Sequence, residues 1–140
     1  MPRASRKTIS KDLNNELNQN FSFLVSSLRD PKEIDTFLKD FLTKEEKKMI
    51  PKRLMLHLML FNNIDNSKIS AHLGVSYETI RTHRNSWGSF SNEYKEIVSK
   101  ISRRKNTKDL LRKLDKKMEK LDSFMKAKLN MRVRSKVYGE

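Results

Sequence analysis

Residues 69–87 read Ile-Ser-Ala-His-Leu-Gly-Val-Ser-Tyr-Glu-Thr-Ile-Arg-Thr-His-Arg-Asn-Ser-Trp, and this stretch decides the fold. Ile69 and Leu73 are apolar four apart, Val75 follows the glycine, and Ile80 is apolar further on. That spacing predicts two short helices joined at Gly74. A tight inter-helix turn needs a residue at φ > 0, which glycine adopts without the strain a Cβ brings. Ser76 is placed to cap the second helix by accepting from a free N–H of its first turn. These features make a helix-turn-helix over about residues 66–87, a motif whose second helix commonly lies in the DNA major groove.

The charge balance points the same way. The 140 residues carry a formal charge of +14, a field that favours a polyanionic partner, nucleic acid first and an anionic membrane surface second. The excess is uneven. Residues 91–140 hold 16 Lys/Arg against 7 Asp/Glu, giving +9, and Arg3, Arg6 and Lys7 add +3. The remaining +2 is spread over residues 8–90, so the presumed reading domain is close to neutral. The absence of Cys excludes a disulfide framework and a thiolate metal site, as expected in a reducing cytoplasm. No apolar run approaches the ~20 residues that span a bilayer, and residues 1–7 lack a signal-peptide core. Three Gly, three Pro and no β-branched alternation predict an all-α fold.

Outward from the motif, the apolar spacing predicts further helices. Residues 1–7 read as a disordered basic arm. Ile9, Leu13, Leu17, Phe21, Leu24 and Leu28 form one stripe on a helix from about Ser10 to Leu28. Asp30-Pro31-Lys32-Glu33 combines an N-cap, a first-position proline and a capping-box glutamate, and starts a second helix over about 31–42. Thr43-Lys44-Glu45-Glu46 is another capping box. It opens a third helix, about 44–61, which Pro51 should kink. Asp65 or Asn66 caps the first helix of the motif, and the second runs about 77–86. Ser91 opens a helix bearing Tyr94, Ile97, Val98 and Ile101. A polar break at 103–107 precedes a long helix, about 108–129, with a heptad seam of Leu111, Leu114, Met118, Leu121 and Met125. The expected organisation is an arm (1–7), a helical domain (8–90) and a basic helical extension (91–140). The extension either docks on the domain or forms a short coiled coil.

From about Lys39 to Trp87 the chain resembles the tryptophan repressor superfamily. The matching pieces are Phe41-Leu42-Thr43-Lys44-Glu45-Glu46, Lys52-Arg53-Leu54, Leu73-Gly74-Val75-Ser76, Thr79-Ile80 and Asn85-Ser86-Trp87. The resemblance implies a Trp-repressor-like all-helical domain, an intertwined homodimer and a reading helix presented by each subunit to successive major grooves. It ends before residues 91–140, and the first two helices fill the intertwining role by position alone.

Carried over by position, the family's base-reading residues fall on Tyr77, Glu78 and Arg81. Their chemistry fits: Arg81 can bind guanine O6/N7, Glu78 can accept from a cytosine amine, and Tyr77 can pack on a thymine methyl. Ser67 matches an operator contact from the preceding helix, Thr79 and Thr82 can reach phosphate or bases, and Arg84 is suited to phosphate. Ser76 and Asn85, at the two ends of the reading helix, complete the candidate DNA-binding set. A competing reading makes Glu78 and Arg81 a plain surface ion pair. For the corepressor pocket the resemblance carries Arg53, Thr43, Thr79 and Ser86, but Thr82 replaces the second arginine and Asp40 an apolar position. Losing a guanidinium that pairs a carboxylate removes about 1.5–3 kcal/mol, so L-tryptophan is not expected as a corepressor.

Enzymatic signals are lacking. His57, His72 and His83 have no metal-ligand spacing, and there is no phosphate-binding glycine loop or recognisable nucleophile. No cofactor or metal is expected. Trp87 reads as a core or interface anchor. The sequence thus predicts a dimeric, sequence-specific double-stranded-DNA-binding regulator of transcription, repressor-like, cytoplasmic and nucleoid-associated. Its rivals are a DNA-binding module of a mobile element and a basic coiled-coil or RNA-binding adaptor.

Overall fold

The structure, a computed structural model, describes residues 8–137. The basic arm expected at residues 1–7 lies outside the described residues. Among the described residues there are seven helices and no strand, so the fold is all-α. The chain divides into two compact units between Pro51 and Lys52. The division falls inside the third helix, where Pro51 removes one donor from the hydrogen-bond ladder.

The first unit contains α1 (Lys11–Ser27), α2 (Pro31–Phe41) and the start of α3 (Lys44–Phe61). Local chemistry sets its helix ends. Ser10 accepts from Leu13 N, and Asp30 accepts from Lys32 N ahead of the first-position Pro31. At α3, Thr43 N donates to Glu46 Oε2 at 2.9 Å while Glu46 N donates to Thr43 Oγ1 at 3.3 Å, the reciprocal capping box. Those bonds to Thr43 hold the Glu46 carboxyl below its ordinary pKa. Phe37 stacks on Phe41 at 4.9 Å and Phe41 on Phe21 at 5.9 Å. Neither α1 nor α2 has a buried residue, and Phe23 is 74% exposed.

The second unit packs the rest of α3 with α4 (Asn66–Leu73), α5 (Tyr77–Trp87), α6 (Asn92–Arg103) and α7 (Lys105–Val137). Its core is Leu56, Met59, Leu60, Ile69 and Ile80, with Met55, Ile64, Leu73, Val75 and Leu111 against it. Helix α3 ends with Asn63 at φ 55°, Ile64 N donating to Met59 O and Asn63 N to Leu60 O. That is a Schellman ending, and it folds Ile64 back onto the core.

The long helix departs from the expected boundaries. The break expected at 103–107 shrinks to Arg104, whose ψ of 140° alone leaves the helical range, and α7 begins at Lys105. Lys105, Asn106 and Thr107 are polar without being helix breakers, so polarity there is not a loop signal. Nothing after Leu129 stops the helix either, and it continues to Val137. The first turns of α7 dock on the unit through Leu111 and a Lys68–Asp115 ion pair at 3.6 Å. Further along, Leu121, Phe124, Met125 and Leu129 are 53–65% exposed, and the side chain of Met118 lies outside the described residues.

Candidate nucleic-acid interface

The α4–turn–α5 pair is built as the sequence predicts. Gly74 closes α4 at φ 61°, its N–H bonded to Ser70 O, and Ser70 Oγ ties the turn by donating to Val75 O at 2.8 Å. No atom would lie within 4 Å of a Cβ at Gly74, so glycine is needed there for its backbone conformation and not for space. Asp65 caps α4 by accepting from Lys68 N, and Ser76 caps α5 by accepting from Thr79 N at 3.2 Å.

Two faces of α5 have opposite surroundings. Ile80 is 0% exposed and is the buried anchor of the helix. Glu78, Arg81, Thr82 and Asn85 follow an i, i+3, i+4, i+7 spacing and are exposed on the opposite side, with Tyr77 beside them at 53%. Among the described residues, the side chains of Tyr77, Glu78, Arg81 and Asn85 have no hydrogen-bond partner, and Glu78 forms no ion pair with Arg81. The donors and acceptors of these four side chains are therefore exposed and uncommitted.

The other candidate residues are engaged within the protein. Ser67 donates to Asp65 Oδ1 at 2.6 Å, and that bond, with Lys68 N, holds the Asp65 carboxyl below its ordinary pKa. Thr82 donates to Glu78 O at 3.0 Å, and the hydroxyls of Ser76 and Thr79 bond each other at 2.9 Å. Arg84 is a clamp between the two helices. Its Nε and Nη2 donate to Asn66 Oδ1 at 3.1 and 2.8 Å, and Nη2 also donates to Ile64 O at 3.0 Å. Only Nη1 of its guanidinium keeps its donors for another acceptor.

Sequence spacing did not anticipate what holds the far end of α5. His57, on α3, is 6% exposed, with Nδ1 bonded to the Tyr94 hydroxyl and Nε2 to His83 Nδ1 at 3.0 Å. Trp87, Phe90 and Tyr94 close around the His57 ring, with centroids 5.3–5.9 Å from it. Trp87 is thus a packing anchor. Burial, first, and the positive charge of Arg53 lower the pKa of both His57 and His83, with His83 adding to the effect on His57. Burial also raises the Tyr94 pKa, against the pull of Arg53. The only sequence signal was that His83 and Trp87 share the face of Ile80. Among the described residues, no three His, Cys, Asp or Glu converge as metal ligands, and no helix is long and apolar enough to cross a membrane.

These features define an all-α helix-turn-helix protein whose second motif helix is anchored by Ile80 and the His57 cluster. Residues 15–102, more than half of the chain, match the family described as Trp repressor protein, and the chain belongs to that family. It is a regulatory DNA-binding family. The match reaches back into α1 and forward to Ser102 in α6, beyond the segment where single residues carry the resemblance. Compared with curated proteins and with solved structures, the chain shows no significant match.

Proposed function

We propose that this chain binds double-stranded DNA sequence-specifically as a homodimer and represses transcription, acting in the cytoplasm on the nucleoid. The observation that carries the reading is the outward face of α5. Glu78, Arg81 and Asn85 carry unpaired, exposed polar groups opposite a fully buried Ile80. An Arg fork pairs bidentately with guanine, Glu accepts from cytosine and Asn pairs with adenine, so the face holds a readable code for the major groove. Tyr77 adds an apolar edge for a thymine methyl. Ser67, Ser76, Thr79, Thr82 and Arg84 are bonded internally and brace the two helices, and Arg84 Nη1 remains for a phosphate. The basic α7 supplies sequence-independent attraction to the backbone.

Dimerisation is supported by the first unit. Ile9, Leu13, Leu17, Phe21, Phe23 and Leu24 are 44–74% exposed, a continuous apolar surface that a second copy would bury. L-tryptophan is not the corepressor in this reading, because Thr82 and Asp40 stand where a pocket needs an arginine and an apolar residue. Thermal melts with millimolar tryptophan should show no shift, and a clear rise with tighter DNA binding would reverse that assignment. The function itself is tested by Arg81→Ala. It should cost about 1–3 kcal/mol on a selected duplex and relax preference at one base position per half-site. An unchanged preference would remove Arg81 from base reading.

A further inference from the structure

His57 is the one buried titratable side chain among the described residues, and both of its ring nitrogens are committed. The chain Tyr94–His57–His83 ties α6 and α3 to the C-terminal half of α5, where His83 and Trp87 sit on the Ile80 face. We propose that this histidine pair is a proton-sensitive latch on the reading helix. With the pair closed, α5 is held in its reading orientation; with both rings protonated, its last turns are loosened and DNA selectivity falls while general DNA affinity persists. The inference rests on the reading of α5 as the DNA-reading helix and gives that helix a control.

Proton counting makes the latch. A bond between two imidazoles needs one N–H and one lone pair. The neutral pair has both. A singly protonated pair keeps the bond, with His57 donating from both nitrogens, to the Tyr94 oxygen and to His83 Nδ1. The doubly protonated pair cannot keep it, because two N–H groups and two positive charges would then meet across 3.0 Å.

The surroundings offer such charge no compensation. Arg53 on α3 is the charged group acting on both rings, and it repels a proton; His83 faces from α5 and Tyr94 from α6, and no carboxylate acts on either ring. Trp87 and Phe90 add apolar walls. Opening the pair unties the turn that carries Asn85 from α3 and α6 and leaves it to the Arg84 clamp and the Trp87 packing, whereas Ile80 and the Ser76 cap still hold the first turn of α5. The two added positive charges cannot weaken attraction to phosphate. Selectivity and affinity should therefore separate.

The test uses the full chain, the duplex most enriched from a random library, and a scrambled duplex of equal length. Binding to both is measured from pH 7.5 to 5.0 at constant ionic strength, and the histidine ring resonances are followed by NMR in parallel. The preference ratio should fall about tenfold, equivalent to about 1.4 kcal/mol, at the pH where the His57 and His83 ring resonances shift. Scrambled-duplex binding should hold or tighten. His83→Gln keeps a donor and an acceptor without titrating, so its ratio should stay flat with pH. A flat wild-type ratio, or a fall at a pH where neither ring titrates, overturns the latch alone. So does an equal fall in a folded His83→Gln protein. If that variant does not fold, the wild-type coincidence of titration and ratio decides. A chain with no preferred duplex at pH 7.5 overturns both the DNA-reading role of α5 and the latch.

Discussion

Ile80→Ala is the most demanding test of how α5 is held. Ile80 is 0% exposed and belongs to the core with Leu56, Met59, Leu60 and Ile69. Alanine removes three carbons, which at roughly 0.8 kcal/mol per buried methylene is about 2.4 kcal/mol. The unrelaxed cavity raises the expected loss to about 3–4 kcal/mol, within the range of Ile→Ala core changes. Ile80→Val removes one carbon and should lose about 1 kcal/mol. Arg81, the next residue, is exposed and unbonded, so Arg81→Ala should stay within about 0.5 kcal/mol of wild type. Urea denaturation followed by far-ultraviolet circular dichroism at pH 7.5 gives all three values. A loss below about 1 kcal/mol for Ile80→Ala, or an equal loss for Arg81→Ala, would refute the division of α5 into an anchoring face and a reading face.

Three further outcomes are expected. Ser76→Ala should destabilise by about 1 kcal/mol in the same assay, because Thr79 N loses its cap acceptor. Stability should decline as pH falls below about 6.5: His57 and His83 have lowered pKa values when folded, so the unfolded chain takes up protons first. Urea midpoints measured between pH 8 and 5 check the sign, and a midpoint that rises toward pH 5 would contradict it. Sedimentation should give twice the 16.6 kDa chain mass, and a chain without residues 120–140 should still sediment at twice its own smaller mass, since Leu111 and Asp115 keep α7 docked without them. A monomeric truncated protein would move the dimer contact to the distal part of α7.

What the sequence made legible was local. Gly74, Ser76, Asp30-Pro31 and Thr43/Glu46 each act within four residues, and each performs its expected turn or cap. Ile69, Leu73, Val75 and Ile80 carry the helix-turn-helix spacing and are buried or half-buried in the core. What it hid depends on distance. His57 and His83 lie 26 positions apart and Tyr94 lies 37 from His57, so helical spacing rules do not connect them. Position on α5 suggests phosphate for Arg84, yet its acceptors within the protein are Asn66, first residue of α4, and Ile64 just before it. At Arg104 a single ψ of 140° separates two helices, so the polar run 103–107 is not a loop.

The central claim is that the outward face of α5 reads duplex DNA. Selecting bound duplexes from a random library with the wild-type chain and Arg81→Ala side by side tests it most directly. A palindromic preferred site with half-sites about one helical turn apart is expected. In the Arg81→Ala selection, one position per half-site should lose its preference while the rest of the site is retained. Recovery of random sequence by the wild-type chain, or of the same site by both proteins, would contradict it.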